Sequence, residues 1–187
     1  MPHTLIAARS PRSGNAALAS GALIQAAVGT EFVLAGLNKV LNSNYVEQFA
    51  GFVQGSPGAT SGALAPLIQS VVIPNLGLAA ELSRWTELGA GAVLLVTALE
   101  VLRRRLASPL GAQHAYEPLA ALLSAVAAFA LGAMSLTIYL LQGGRLPGIN
   151  PGYSFSSPIA IELLLVPLAF AIAWLELARF RALRVAA

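Results

Sequence analysis

The sequence predicts an all-α membrane protein, a bundle of four transmembrane helices with a short amphipathic helix in the first outer loop. Three observations lead there. Hydrophobic residues make up 57% of the 187 residues and charged residues 10%, with a mean hydropathy of +0.73, a balance that a soluble domain of this size rarely has. Four apolar stretches are each long enough, at ~1.5 Å per residue, to cross a hydrocarbon core of ~30 Å. The arginines gather at alternate ends of those stretches, as the inward bias of positive charge in membrane proteins requires.

The first span covers about 16–41. Arg9 and Arg12 precede it as they would a signal peptide, but the apolar run is too long for an h-region and lacks a clean cleavage site, so it reads as a span. After it, Tyr45, Val46, Phe49, Phe52 and Val53 recur at helical spacing with Glu47, Gln48 and Gln54 opposite, which predicts an amphipathic helix over 45–54. Gly55-Ser56-Pro57-Gly58 should end it, and Leu64 to Val72 can form a second surface helix. The second span should start after the breaker Pro74-Asn75, with Asn75 as N-cap, and cover 76–102 before Arg103-Arg104-Arg105. The third, 119–141, is almost purely apolar, and no charge lies between Glu117 and Arg145. The fourth, 158–177, opens on Ser157 as cap with Pro158 at the first helical position, and Pro167 should kink it. These four spans form a single integral membrane domain in the cytoplasmic membrane, with both termini on the cytoplasmic side.

Composition also excludes several chemistries. The chain has no cysteine, so no thiol nucleophile, dithiol relay or thiolate metal site arises within it. His3 and His114 lie outside the spans, and neither haem nor a metal ion is expected. The net charge of +3 comes from arginines at span ends rather than from a basic face interleaved with aromatics, which points to the lipid bilayer as partner and not to nucleic acid.

The ionisable residues inside the spans are the candidates for function. An intramembrane carboxylate facing lipid costs on the order of 3 kcal/mol, so each should face protein or a wet cavity. Glu31, Glu87 and Glu162 each lie about fourteen or fifteen residues from the cytoplasmic end of their span, roughly 21 to 23 Å up by helical rise. Three acids are thus expected in one layer, where they cannot all ionise unless cations compensate. Lys39, one helical stretch above Glu31, and Arg84, one turn outward of Glu87, could snorkel to that layer. Protonatable acids below cations suit an amphiphilic ligand with a polar head, of which a quinone is one candidate, and Trp85, Tyr139, Tyr153 and Phe155 could supply aromatic walls. The competing reading is that these charges pair across helices and lock the bundle. Gly29, Gly36, Gly89, Gly91 and Gly132 are expected as close-packing points between helices.

The run Val28-Gly29-Thr30-Glu31-Phe32-Val33-Leu34-Ala35-Gly36-Leu37-Asn38-Lys39, followed by a loop helix and then Glu87-Leu88-Gly89-Ala90-Gly91-Ala92-Val93-Leu94-Leu95, resembles the DoxX family. Gly36-x-x-Lys39 and Glu87-x-Gly89 carry most of the likeness, which covers roughly residues 22 to 100. Family members often have an arginine where Gln25 stands and an apolar residue at the position of Glu31. The resemblance implies a small four-helix membrane protein, a relative of thiosulfate:quinone oxidoreductase subunits, with Lys39 and Glu87 at matched positions. The expected function is a quinone-linked oxidoreductase subunit. Glu31, Glu87 and Glu162 would exchange protons with the quinone, and a thiosulfate-like donor would react near Lys39, Arg84 and Arg145, or electrons would come from a membrane or soluble partner subunit. The alternative is a non-catalytic accessory subunit of a larger respiratory or photosynthetic membrane complex.

Overall fold

The computed structural model describes residues 11–106, 116–144, 146–148 and 159–185. Among them no strand occurs, and four helices are long and apolar enough to cross a membrane. Helix α1 spans Pro11–Leu41, and α2 (Tyr45–Gly55), α3 (Pro57–Thr60) and α4 (Ala65–Leu67) follow in the loop. A π-helical turn, Ile68–Val72, and a 3-10 turn, Ile73–Asn75, lead into α5 (Leu76–Leu106), then α6 (Glu117–Leu141) and α7 (Ile161–Val185).

Helix α5 begins at Leu76, where the second span was expected, but not on the expected cap, and α7 both begins and ends later than expected. Asn75 does not cap a new helix. Pro74 has no N–H and its ring crowds the preceding turn, but the backbone absorbs this by widening into the π-helical turn and then tightening, so the rod stays helical from Ala65 onward. The Asn75 side-chain amide donates to the Val71 carbonyl at 2.8 Å, one turn back. At the other end, α7 runs past residue 177 to Val185. Its last turns are polar, but Arg179 pairs with Glu176 at 3.2 Å and the Arg184 guanidinium stands 5.6 Å over the Phe180 ring, which supports continued helix. The expected cap at Ser157 and Pro158 lies outside the described residues.

The long helices pack as two close pairs, α1 with α5 and α6 with α7; α5 also touches α6, while α1 and α7 meet only sparsely. Glycine sets the first pair. A Cβ on Gly36 would stand 2.6 Å from the Leu88 backbone nitrogen, and one on Gly91 would stand 2.8 Å from that of Val33, so the two backbones approach as side chains would forbid. Gly89, expected to pack likewise, faces open space. A layer of Val28, Phe32, Leu94, Leu131, Leu165 and Ile172 fills the middle of the bundle, while Leu23, Val96, Phe129 and Trp174 project outward, as lipid contact requires.

The loop elements do not float. Val53, Ala59, Ile68 and Leu141 form a second apolar cluster that seats α2, α3 and the π-helical turn on the end of α6. They cap one end of the bundle.

Candidate functional site

Between the two helix pairs, beneath this cap, lies a cavity of about 730 Å³, within the range of small-molecule sites. It forms where α1 and α7 fail to close. From α1 come Glu31, Phe32, Ala35, Asn38 and Lys39, spaced so that one helical face provides them all. The roof is α2, through Tyr45, Phe49 and Phe52; Ser83, Thr86 and Glu87 of α5 form one wall, and Ser135, Thr137 and Glu162 of α6 and α7 the other. Phe32 and Leu165 belong both to the cavity lining and to the mid-bundle apolar layer, which closes the floor.

Glu87 is the innermost charge, with 2% of its side chain exposed. Lys39 Nζ donates to Glu87 Oε1. The pair joins α1 to α5 at the level where Gly36 and Gly91 hold those helices together. The second carboxylate oxygen, Oε2, is buried and has no hydrogen-bond partner among the described residues. Such an atom is costly to desolvate and leave unpaired.

Tyr45 is the second such group. After α1 ends, Asn42 Oδ1 accepts the Asn44 backbone N–H at 3.0 Å, an Asx turn that reverses the chain and lays Tyr45 back over the cavity. Its ring sits with Lys39 Nζ 5.9 Å and the Arg84 guanidinium 6.0 Å from the centroid. The Tyr45 hydroxyl is buried and makes no hydrogen bond in the described structure. Burial pushes the phenol above its ordinary value, against the opposing effect of the neighbouring Ser83 hydroxyl.

Glu31, Glu87, Glu162 and Lys39 all line this one cavity. They do not form a uniform layer. Glu31 is exposed, Glu162 stands in the first turn of α7 and accepts from Gln142 Nε2 at 3.1 Å, and only Glu87 is sealed inside. No second carboxylate is hydrogen-bonded to Glu87; its charge is met by Lys39, because a lysine stem reaches down α1 farther than helical rise alone implies.

Arg84, Trp85 and Tyr139 do not line the cavity. Arg84 donates to both oxygens of Glu81, at 2.8 and 2.5 Å, and the Trp85 indole donates to Glu81 at 3.1 Å with 54% of the residue exposed. Local partners one turn away capture both side chains. Tyr139 is buried elsewhere in the bundle, and Arg145, Tyr153 and Phe155 lie outside the described residues.

Sequence reasoning missed Tyr45 as a site residue, having placed it only in an amphipathic stripe. The available signal was the Asn42-Ser43-Asn44 turn directly after Lys39. It also missed a polar seam on the far side of the apolar layer. There Gln25, 1% exposed, donates to Thr97 Oγ1 at 2.8 Å and to the Leu94 carbonyl at 3.2 Å, and Ser124 donates to Thr97 at 2.7 Å. These bonds tie α1, α5 and α6 together as interhelical polar contacts do.

No family model, curated protein or solved structure matches this chain.

Proposed function

We propose that the chain is a DoxX-like membrane subunit that binds a quinone-type ligand in the capped cavity, its polar head against Glu87, Lys39 and Tyr45. The observation that carries this reading is the pair of buried, unpartnered polar atoms, Glu87 Oε2 and Tyr45 Oη, on residues that line a cavity otherwise walled by aromatic and aliphatic side chains. An apolar pocket with a few convergent polar groups is the usual form of a site for an amphiphile.

The residues present fit a quinone. When bound, a quinone accepts two electrons and two protons. Lys39 and the Tyr45 hydroxyl can donate hydrogen bonds to a head-group oxygen, and Glu87 Oε2, on a carboxylate paired with Lys39, can accept a hydrogen bond there. Glu31, exposed on the cavity wall, and Glu162, at the start of α7, would pass protons between the cavity and water. The apolar layer under the cavity directs that exchange to the capped side, which the arginine distribution assigns to the outside. Electrons would come from a partner protein. The oxyanion half of the expectation receives less support, since Lys39 and Arg84 are each matched by a carboxylate.

Equilibrium dialysis of a short-tailed ubiquinone analogue against the full chain in lipid nanodiscs tests the reading. Saturable uptake beyond that of empty nanodiscs, weakened at least tenfold in Tyr45→Phe, is expected from the loss of a hydrogen bond to a buried group. Uptake equal to that of empty nanodiscs would remove the quinone site and leave the accessory-subunit reading.

A further inference from the structure

Glu87 lines the cavity and has one oxygen without a protein partner. Its Oε1 is occupied by the Lys39 ammonium, while Oε2 is buried, unpartnered and on a residue of the cavity wall. A carboxylate held against an ammonium is an acceptor with no hydrogen to give. Whatever satisfies Oε2 must bring a donor.

Resting on the quinone reading above, we infer that the cavity selects the reduced, hydroxyl-bearing form of its ligand over the oxidised, carbonyl-bearing form. A hydroquinone O–H can pair with Oε2. A quinone carbonyl offers lone pairs only, so it would set acceptor against acceptor and leave Oε2 unsatisfied. Sites built around a buried polar group discriminate strongly against ligands that fail to pair with it.

The other polar groups do not supply the same discrimination. The Tyr45 hydroxyl both donates and accepts, so it can pair with either form. Lys39 lies 26% exposed and keeps N–H groups beyond the one given to Glu87, so it can donate to either a carbonyl or a hydroxyl oxygen. Selectivity therefore resides at Glu87 Oε2. A hydrogen bond to a charged group of this kind corresponds to roughly a 10- to 100-fold preference. Tighter binding of the reduced form raises the potential of the bound two-electron couple by about 30 mV for each tenfold. The site thus draws a bound quinone toward reduction and retains the product.

The test uses the full chain in nanodiscs with three probes of one shape: a decyl-tailed quinone, its hydroquinone kept reduced under anaerobic conditions, and the dimethyl ether of that hydroquinone. The ether keeps the ring and tail but has no O–H. Hydroquinone is expected to bind at least tenfold more tightly than either other probe. In Glu87→Gln, whose amide both donates and accepts, the ratio should collapse toward one. Equal binding of hydroquinone and ether by the unmodified protein, or a ratio that persists in Glu87→Gln, overturns the selectivity while leaving the quinone site standing. Saturable binding of none of the three overturns the site itself and the selectivity with it. If Glu87→Gln does not fold, the hydroquinone-to-ether ratio in the unmodified protein still decides.

Discussion

Replacing Lys39 by methionine should be far more damaging than replacing Glu87 by glutamine, although both break the same ion pair. The Glu87 side chain is 2% exposed and that of Lys39 is 26% exposed. Without Lys39 the buried Glu87 carboxylate has neither of its oxygens partnered, a stranded charge that costs about 3–5 kcal/mol. Without the Glu87 charge, the Lys39 stem can lift its ammonium to the capped surface, and the glutamine oxygen remains as an acceptor, so the loss is about 1 kcal/mol. Uncharged polar contacts between membrane helices average about 0.6 kcal/mol, so a loss of the first size stands well clear of ordinary interhelical bonding. The double variant Lys39→Met/Glu87→Leu removes both charges and should return to within about 1 kcal/mol of the unmodified protein. Unfolding in mixed micelles of rising dodecyl sulfate fraction, followed by tryptophan fluorescence, measures all three. A Lys39→Met loss below about 1 kcal/mol, or a double variant as unstable as Lys39→Met, would refute a buried Glu87 whose charge depends on Lys39.

Further outcomes follow from the same geometry. Gly36→Ala would drive a Cβ to 2.6 Å from the Leu88 backbone nitrogen and should cost about 1–3 kcal/mol, while Gly89→Ala, facing open space, should be neutral or stabilising by up to about 1 kcal/mol; thermal midpoints of the two variants in detergent compare them. Because the chain has no cysteine, single substitutions report access cleanly. Thr86→Cys on the cavity wall should react with a membrane-impermeant maleimide from the capped side only, and Ser124→Cys, 0% exposed beyond the apolar layer, from neither side; equal labelling of both would disprove a closed floor. Tyr45 has its phenol raised by burial from 10.0, so the folded state holds the proton more tightly than the unfolded chain. Its contribution to stability is complete below pH 10 and is lost as pH rises through the folded value. Melting curves from pH 8 to 11 should therefore fall less steeply for Tyr45→Phe.

Legibility in the sequence varied from residue to residue. The third span was plain because Leu119 to Leu141 contains no charge and almost only small or apolar side chains, and it appears within α6. Pro74 marked where α5 begins, but a proline signal states only that a hydrogen bond is lost and not whether the helix breaks or widens around the defect. Arg84 and Trp85 looked free to reach a ligand, yet Glu81 sits one turn away and takes both. A short-range partner wins because it fixes fewer side-chain rotors for each bond made. Tyr45 went unnoticed for the opposite reason. Its role depends on a turn that folds α2 back over a helix already past.

The sequence alone determined the properties that depend on residues close together in the chain: the helical class, the lengths that match a bilayer, the amphipathic loop helix and the placement of charge at span ends. These follow from local periodicity and from the cost of exposing backbone to hydrocarbon. The tertiary structure decided which helices became neighbours, and hence which charge met which. Glycine contacts bring α1 against α5, so Lys39 falls on Glu87, while α1 and α7 stay apart and leave a cavity between them. That outcome was not readable in advance because an ion pair 48 positions apart is fixed by helix packing and rotation, and packing is a property of two surfaces that no single stretch of sequence contains.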